Sequence, residues 1–112
     1  MGGLERPADL LAAERTRTVE RMAGLERELA GIIESASSGA DDEHDPEGAT
    51  LAFERQHLVA LLGQASQQLA QIEAAIGRVT DGSYGQCVTC GEPIGPARLA
   101  ARPATSTCIR CA

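Results

Sequence analysis

Residues 58–79, LVALLGQASQQLAQIEAAIGRV, decide the fold. Within them Leu58, Leu62, Ala65, Leu69, Ile72, Ile76 and Val79 alternate steps of four and three without a miss. A sustained 3-4 spacing lays apolar side chains along one helix stripe and is the seam of a coiled coil. Gly63 and Gly77 weaken this helix by about 1 kcal/mol each relative to alanine, so packing along the seam must compensate.

The partner helix lies upstream. From Pro7 to about Ser35 a second ladder runs through Leu11, Met22, Leu25, Leu29, Ile32 and Ala36, with Arg15 and Thr18 as its polar interruptions. Val19 and Ile33 are expected to widen the stripe. Pro7 suits a first helical position, where a missing N–H costs nothing. Residues 35–48, SASSGADDEHDPEG, break the pattern, and Asp45-Pro46-Glu47 reads as a restart. Asp45 would cap the helix, Pro46 would open it, and a further carboxylate would face the positive end of its dipole. Two long helices joined by a short polar turn fold back on each other. Each arm would be on the order of 45–50 Å long. Asp81-Gly82 ends the second arm.

Composition agrees with an elongated molecule. The chain has 112 residues and 43% apolar content, but one Phe, one Tyr and no Trp. Such a set fills helix-to-helix seams rather than a bulky core. The formal charge of −6 sits almost entirely in residues 37–50, which hold five acids and no base. Tight binding to nucleic acid needs a concentrated basic surface, and none is visible, so sequence-specific DNA binding is not expected. No apolar run is long enough to cross a bilayer, and the N-terminus lacks the apolar stretch of a secretory signal. The expected compartment is the cytoplasm, where thiols stay reduced.

The cysteines follow as C-x2-C-x17-C-x2-C, at Cys87, Cys90, Cys108 and Cys111. Each C-x-x-C turn can offer two thiolates to one ion, and the loop between lets the second pair close a tetrahedron. Zinc takes four such soft ligands, and a site filled by protein ligands leaves no position for water. One structural zinc is therefore expected, ahead of two disulfides or a redox dithiol. Gly91, after the first pair, fits a knuckle that needs positive φ. The expected fold class is all-α: an antiparallel coiled-coil helical hairpin over residues 1–82, with an acidic tip near 37–50, and a small C-terminal four-cysteine zinc finger over 83–112.

Asp41, Asp42, Glu43, Asp45 and Glu47 crowd the turn. One reading is a solvated loop with capping duty; the other is an acidic probe that approaches a metal ion or basic groups in a partner. His44 and His57 read as solvent-facing or packing residues. No Ser/His/Asp grouping, P-loop or G-x-G-x-x-G motif marks an enzyme.

The C-terminal third, GSYGQCVTCGEPIGPARLAARPATSTCIRC, resembles the zinc-finger signature of the DksA/TraR family of bacterial transcription regulators. The match runs through Tyr84-Gly85, Cys90-Gly91-Glu92, Ile94, Arg98-Leu99 and Ala101-Arg102-Pro103, and the preceding hairpin has the family's layout. The resemblance implies a non-enzymatic, monomeric regulator that binds RNA polymerase. Its hairpin would enter the secondary channel and bring the tip residues Asp42, Asp45 and Glu47 near the active centre. The family's tip carries two aspartates three apart and an alanine two positions on. Ungapped from the cysteines, the aspartate positions fall on His44 and Glu47; a shift of one recovers Asp45 but leaves Gly48 and Thr50 in the other two places. Members responsive to guanosine tetraphosphate use basic residues near the finger. Arg102 matches one of them, whereas Gln71 and Ala112 stand where lysine is expected, and the helix that often follows the finger is absent. Polymerase binding is thus implied more directly than an alarmone response.

Two alternatives have distinct consequences. A Gre-like cleavage-stimulating factor would hold a magnesium ion on its tip carboxylates, but the Gre pattern does not include such a finger. A zinc-stabilised interaction module would pair its ladders between chains as a dimer.

Overall fold

Pro7 opens α1, which runs over Pro7–Ser38, and Pro46 opens α2, which runs over Pro46–Asp81. This computed structural model describes residues 6–38 and 46–112, with side chains at 6–37 and 48–112. Both helices therefore start at the prolines whose absent N–H suits them to a first turn. The expected cap at Asp45 lies outside the described residues. No strand forms among the described residues, only an isolated antiparallel bridge between Gln86 and Pro93.

The chain divides into two compact units, one of Met1–Arg17 with Gln68–Ala112 and the other of Thr18–Gln67. In the first, Leu11 of α1 is 0% exposed and packs with Ile72 and Ala75 of α2, both also 0% exposed. The beginning of one helix thus lies against the end of the other, which is the antiparallel hairpin expected. Ile76, Val79, Tyr84 and Ala104 pack around this trio, so residues of the cysteine region share the core with the helices. Arg15 closes the flank: its Nε and Nη2 both reach Glu73 Oε2, at 3.2 and 3.0 Å. Both side chains are about half exposed (48% and 49%), and such a pair contributes about 0–1 kcal/mol, so the apolar trio dominates. In the second unit, Leu25, Leu58 and Ala65 are buried.

Every member of the α2 ladder is buried or half-buried. The α1 ladder departs from expectation at three places. Val19 and Ile33 are 40% and 46% exposed and do not widen the stripe, and Ala36 is exposed. Thr18 and Ile32 hold the inward positions, and each following residue is turned about 100° round the helix, away from the seam. Thr18, a polar member of the ladder, is buried in its place there. It is short and β-branched, so it fits where Arg15 could not.

Gly82, at φ 85°, ends α2 in a left-handed turn that costs glycine little. The backbone N–H groups of Ser83 and Tyr84 both donate to the Arg78 carbonyl, at 3.0 and 3.1 Å. Asp81 Oδ1 accepts from Ser83 Oγ at 2.6 Å and from its N–H at 3.0 Å. The Ser83 hydroxyl, its N–H and then Arg78 hold the Asp81 carboxyl below its ordinary value. A lowered carboxylate stabilises the fold above the unfolded pKa, and that contribution is lost as pH falls through the folded one.

Candidate metal centre

Two short chain reversals bring the thiols together. In the first, Gly91 N–H donates to the Cys87 carbonyl at 2.9 Å, and Gly91 sits at φ 79°, the positive value expected for it. In the second, Cys111 N–H donates to the Cys108 carbonyl at 3.1 Å. They are tied together by Val88 N–H, which donates to the Ser106 carbonyl at 2.9 Å. Cys87 N–H to Glu92 O and Ile94 N–H to Gly85 O, both 2.8 Å, fix the first loop.

Between the pairs lies a short helix, α3, over Pro96–Ala101, which the cysteine spacing alone did not reveal. Its signal was present in Gly95-Pro96, a glycine at φ 104° before a proline in the first turn. Leu99 of α3 packs with Cys111 against the buried cluster of Cys87, Ile94 and Cys108. Arg98 fastens α3 to the second loop, donating from Nε to Thr107 O at 2.8 Å and from Nη2 to Thr105 Oγ1 at 3.3 Å. Tyr84 closes the other side, its hydroxyl donating to Pro103 O at 2.8 Å. Burial raises the Tyr84 pKa, so the phenol remains the donor at neutral pH. Tyr84→Phe is expected to lower stability by about 1 kcal/mol, by leaving the Pro103 carbonyl short of a donor. Urea unfolding measures this, and zinc content should stay unchanged.

The four sulfurs all lie within 4.8 Å of one another, and Cys90 Sγ and Cys108 Sγ are 3.8 Å apart. Zinc–sulfur bonds of about 2.3 Å place the corners of a regular tetrahedron about 3.8 Å apart, so the donor set has zinc's size. All four cysteines are free thiols gathered in one cluster, which is not the pattern of two disulfides.

Their acidities also ask for a cation. The N–H groups of Cys108 and Cys90, helped by that of Thr89, hold Cys87 down to about 6. Burial pushes Cys108 up, but the N–H groups of Arg110 and Cys111, together with the Cys111 and Cys90 side chains, leave that thiol below its usual value. Cys111 is pushed up to about 12 by the side chains of Cys108, Cys87 and Cys90. Thiolates this close cannot all form beside one another unless a positive ion offsets them. Cys87, Cys90, Cys108 and Cys111 therefore constitute a structural zinc site, closed by four protein ligands.

The other expected site residues are not part of this cluster. Asp42 and Asp45 lie outside the described residues, as does the Glu47 side chain. Arg102 is exposed at the end of α3, with its N–H on Arg98 O at 2.7 Å. Gln71 and His57 are exposed on α2. Sequence reasoning passed over Arg98 and Tyr84 as structural ties, because their acceptors are backbone or hydroxyl groups with no signature of their own.

An antiparallel helical pair whose end carries a four-cysteine zinc centre defines the class: a zinc-finger hairpin protein. The prokaryotic dksA/traR C4-type zinc finger family matches residues 82–112. Across 41 residues the chain is 51% identical to the RNA polymerase-binding transcription factor DksA of Caulobacter vibrioides, covering 37% of this chain and 29% of that protein. An uncharacterized protein of Aquifex aeolicus is 28% identical over 109 residues, covering 97% of this chain and 73% of that one. The structure of transcription factor DksA2 from Pseudomonas aeruginosa matches with a TM-score of 0.78 at 30% identity, over 94% of this chain and 76% of that chain. The chain belongs to the DksA/TraR family.

Proposed function

We propose that this chain is a non-enzymatic regulator of transcription that binds RNA polymerase as a monomer, in the cytoplasm, through the secondary channel. In this reading the hairpin, residues 1–82, enters the channel, and the finger, residues 83–112, braces it from outside. The observation that carries the reading is the match to transcription factor DksA2 along 94% of the chain, helices and finger together. The charge distribution supports it. Five acids and no base occupy residues 37–50, the part of the sequence that joins the two helices, and a polymerase's catalytic metal would attract them. No described helix is long and apolar enough to cross a membrane. Direct sequence-specific DNA binding plays no part in this proposal.

Asp42, Asp45 and Glu47 are the tip residues assigned to this role. An effect of guanosine tetraphosphate, if the polymerase complex shows one, would run through Arg102. The test is binding to core RNA polymerase followed by transcription in vitro. The Asp45→Asn, Glu47→Gln variant should bind within about twofold of wild type, since a change of charge at the rim of an interface alters the on-rate more than the affinity. It should lose most of the effect on promoter-complex lifetime. Failure of the wild-type protein to bind core polymerase overturns the reading; unchanged transcription by the variant removes the acidic-tip mechanism.

A further inference from the structure

The second cysteine loop is gripped at the residue just before a metal ligand. Arg98 is half-buried on α3, and its Nε donates to the Thr107 carbonyl at 2.8 Å, the short distance of a charge-assisted bond. Nη2 of the same guanidinium donates to Thr105 Oγ1 at 3.3 Å, and that hydroxyl donates on to the Thr107 carbonyl, also at 3.3 Å. Two donors thus converge on the one carbonyl oxygen that precedes Cys108. The helix itself is closed by its own backbone, with Leu99 N–H on Gly95 O and Arg102 N–H on Arg98 O. The guanidinium therefore serves the loop more than the helix.

The other end of that peptide faces the sulfurs. A trans peptide is planar and points its C=O and N–H in opposite directions, and no cis bond occurs among the described residues. Holding Thr107 O against Arg98 therefore fixes the direction of the Cys108 N–H. That N–H is the foremost backbone donor to the Cys87 sulfur, ahead of those of Cys90 and Thr89. Cys90 and Thr89 lie in the same loop as Cys87, so of these three donors Cys108 is the one that crosses from the second loop to the first. Cys87 is only 3% exposed, so water does not readily replace a donor lost there. A donor to a ligating atom orients it towards the metal, and a cation on the far side of the peptide polarises the N–H further.

We propose that Arg98 is a positioning residue of the zinc centre: through the Thr107–Cys108 peptide it aims the Cys108 N–H at the Cys87 sulfur and so tightens metal binding. The test makes two measurements on the full-length protein. Zinc affinity is read by competition with a chromophoric chelator. The N–H to sulfur bond is read by NMR, as scalar coupling between the Cys108 amide proton and a spin-active cadmium isotope loaded in place of zinc. Arg98→Met keeps the apolar stem and removes the donors; it should bind zinc about tenfold more weakly and lose the coupling. Arg98→Lys, which retains a charged donor, should recover part of both. Tyr84→Phe, which loosens the finger at Pro103 instead, should keep the coupling. Wild-type protein without the coupling, or an Arg98→Met variant that keeps either the coupling or the full affinity, overturns the proposal. Loss of the coupling in Tyr84→Phe as well would mean general loosening and overturns it too. If Arg98→Met takes up no metal, Thr105→Val decides, because it removes the second donor to the same carbonyl. That variant should bind zinc about threefold more weakly with a diminished coupling, and no change in either overturns the proposal.

Discussion

Replacing Cys108 by serine is expected to reduce zinc content from about one ion per chain to near none and to unfold residues 83–112. The reason is how little else orders this segment. Its buried apolar cluster consists of Cys87, Ile94 and Cys108, with Leu99 and Cys111 packed against it, so three of its five members are themselves ligands. Hydrogen bonds such as Cys87 N–H to Glu92 O and Val88 N–H to Ser106 O stitch the loops together. They form equally well to water in an unfolded chain, and each contributes only about 1 kcal/mol net. Metal binding is then most of the folding free energy of the finger. Far-UV circular dichroism should keep most of its helical signal, because the fully buried trio that joins α1 to α2, Leu11, Ile72 and Ala75, lies within the helices themselves. Amide resonances of the finger should collapse to unfolded positions. A Cys108→Ser protein that retains its zinc and a dispersed finger spectrum would sink the structural-zinc assignment.

The same centre gives a pH signature. Without metal, Cys111 is held up to about 12, so at neutral pH it keeps its proton, while Cys87, near 6, has mostly lost its own. Zinc needs all four sulfurs deprotonated, so binding displaces protons and acid competes with the metal. Zinc retention should fall as pH drops from about 7 towards about 5, and metal binding in weak buffer should release protons.

Sequence periodicity carried the helices because burial in a two-helix seam repeats with the helix itself. All seven members of the α2 ladder turned inward, and both helices began at the prolines that their chemistry favours. The reading weakened where a residue's fate depends on the neighbouring helix. Val19 and Ile33 are apolar but lie one step off the seam, and hydrophobicity alone does not tell which side of a stripe the partner covers. Ala75, fully buried, was missed because alanine is common on either face of a helix. The metal ligands were legible because zinc imposes their identity and spacing. Arg98 was not, since its acceptors, the Thr107 carbonyl and the Thr105 hydroxyl, meet it only once α3 has formed.

Ile72→Ala should remove about 2–5 kcal/mol of stability, the usual range when a buried isoleucine is cut back to its β-carbon. Ile72 is fully buried against Leu11 and Ala75. Leu11, Ala75 and the residues packed on them border the space it leaves. Tyr84 and Ala104 pack on the same cluster, so the cavity would loosen the helices and the finger's footing together. A small domain has only about 5–15 kcal/mol in hand, so a loss of this size is a large share of the total. Leu69→Ala, at a half-buried position of the same ladder, should cost distinctly less, because part of that side chain already meets water. Leu11→Ala should resemble Ile72→Ala, and the double variant should fall short of the sum, since the two residues would open one shared cavity. Urea denaturation of the zinc-loaded protein, followed by circular dichroism, measures all four. A cost for Ile72→Ala below about 1 kcal/mol, or full additivity with Leu11→Ala, would mean that these side chains do not share a core. Zinc content separates this failure from that of Cys108→Ser. Chains of the Ile72→Ala variant that remain folded should keep their metal, because the four sulfurs are positioned by their own loops.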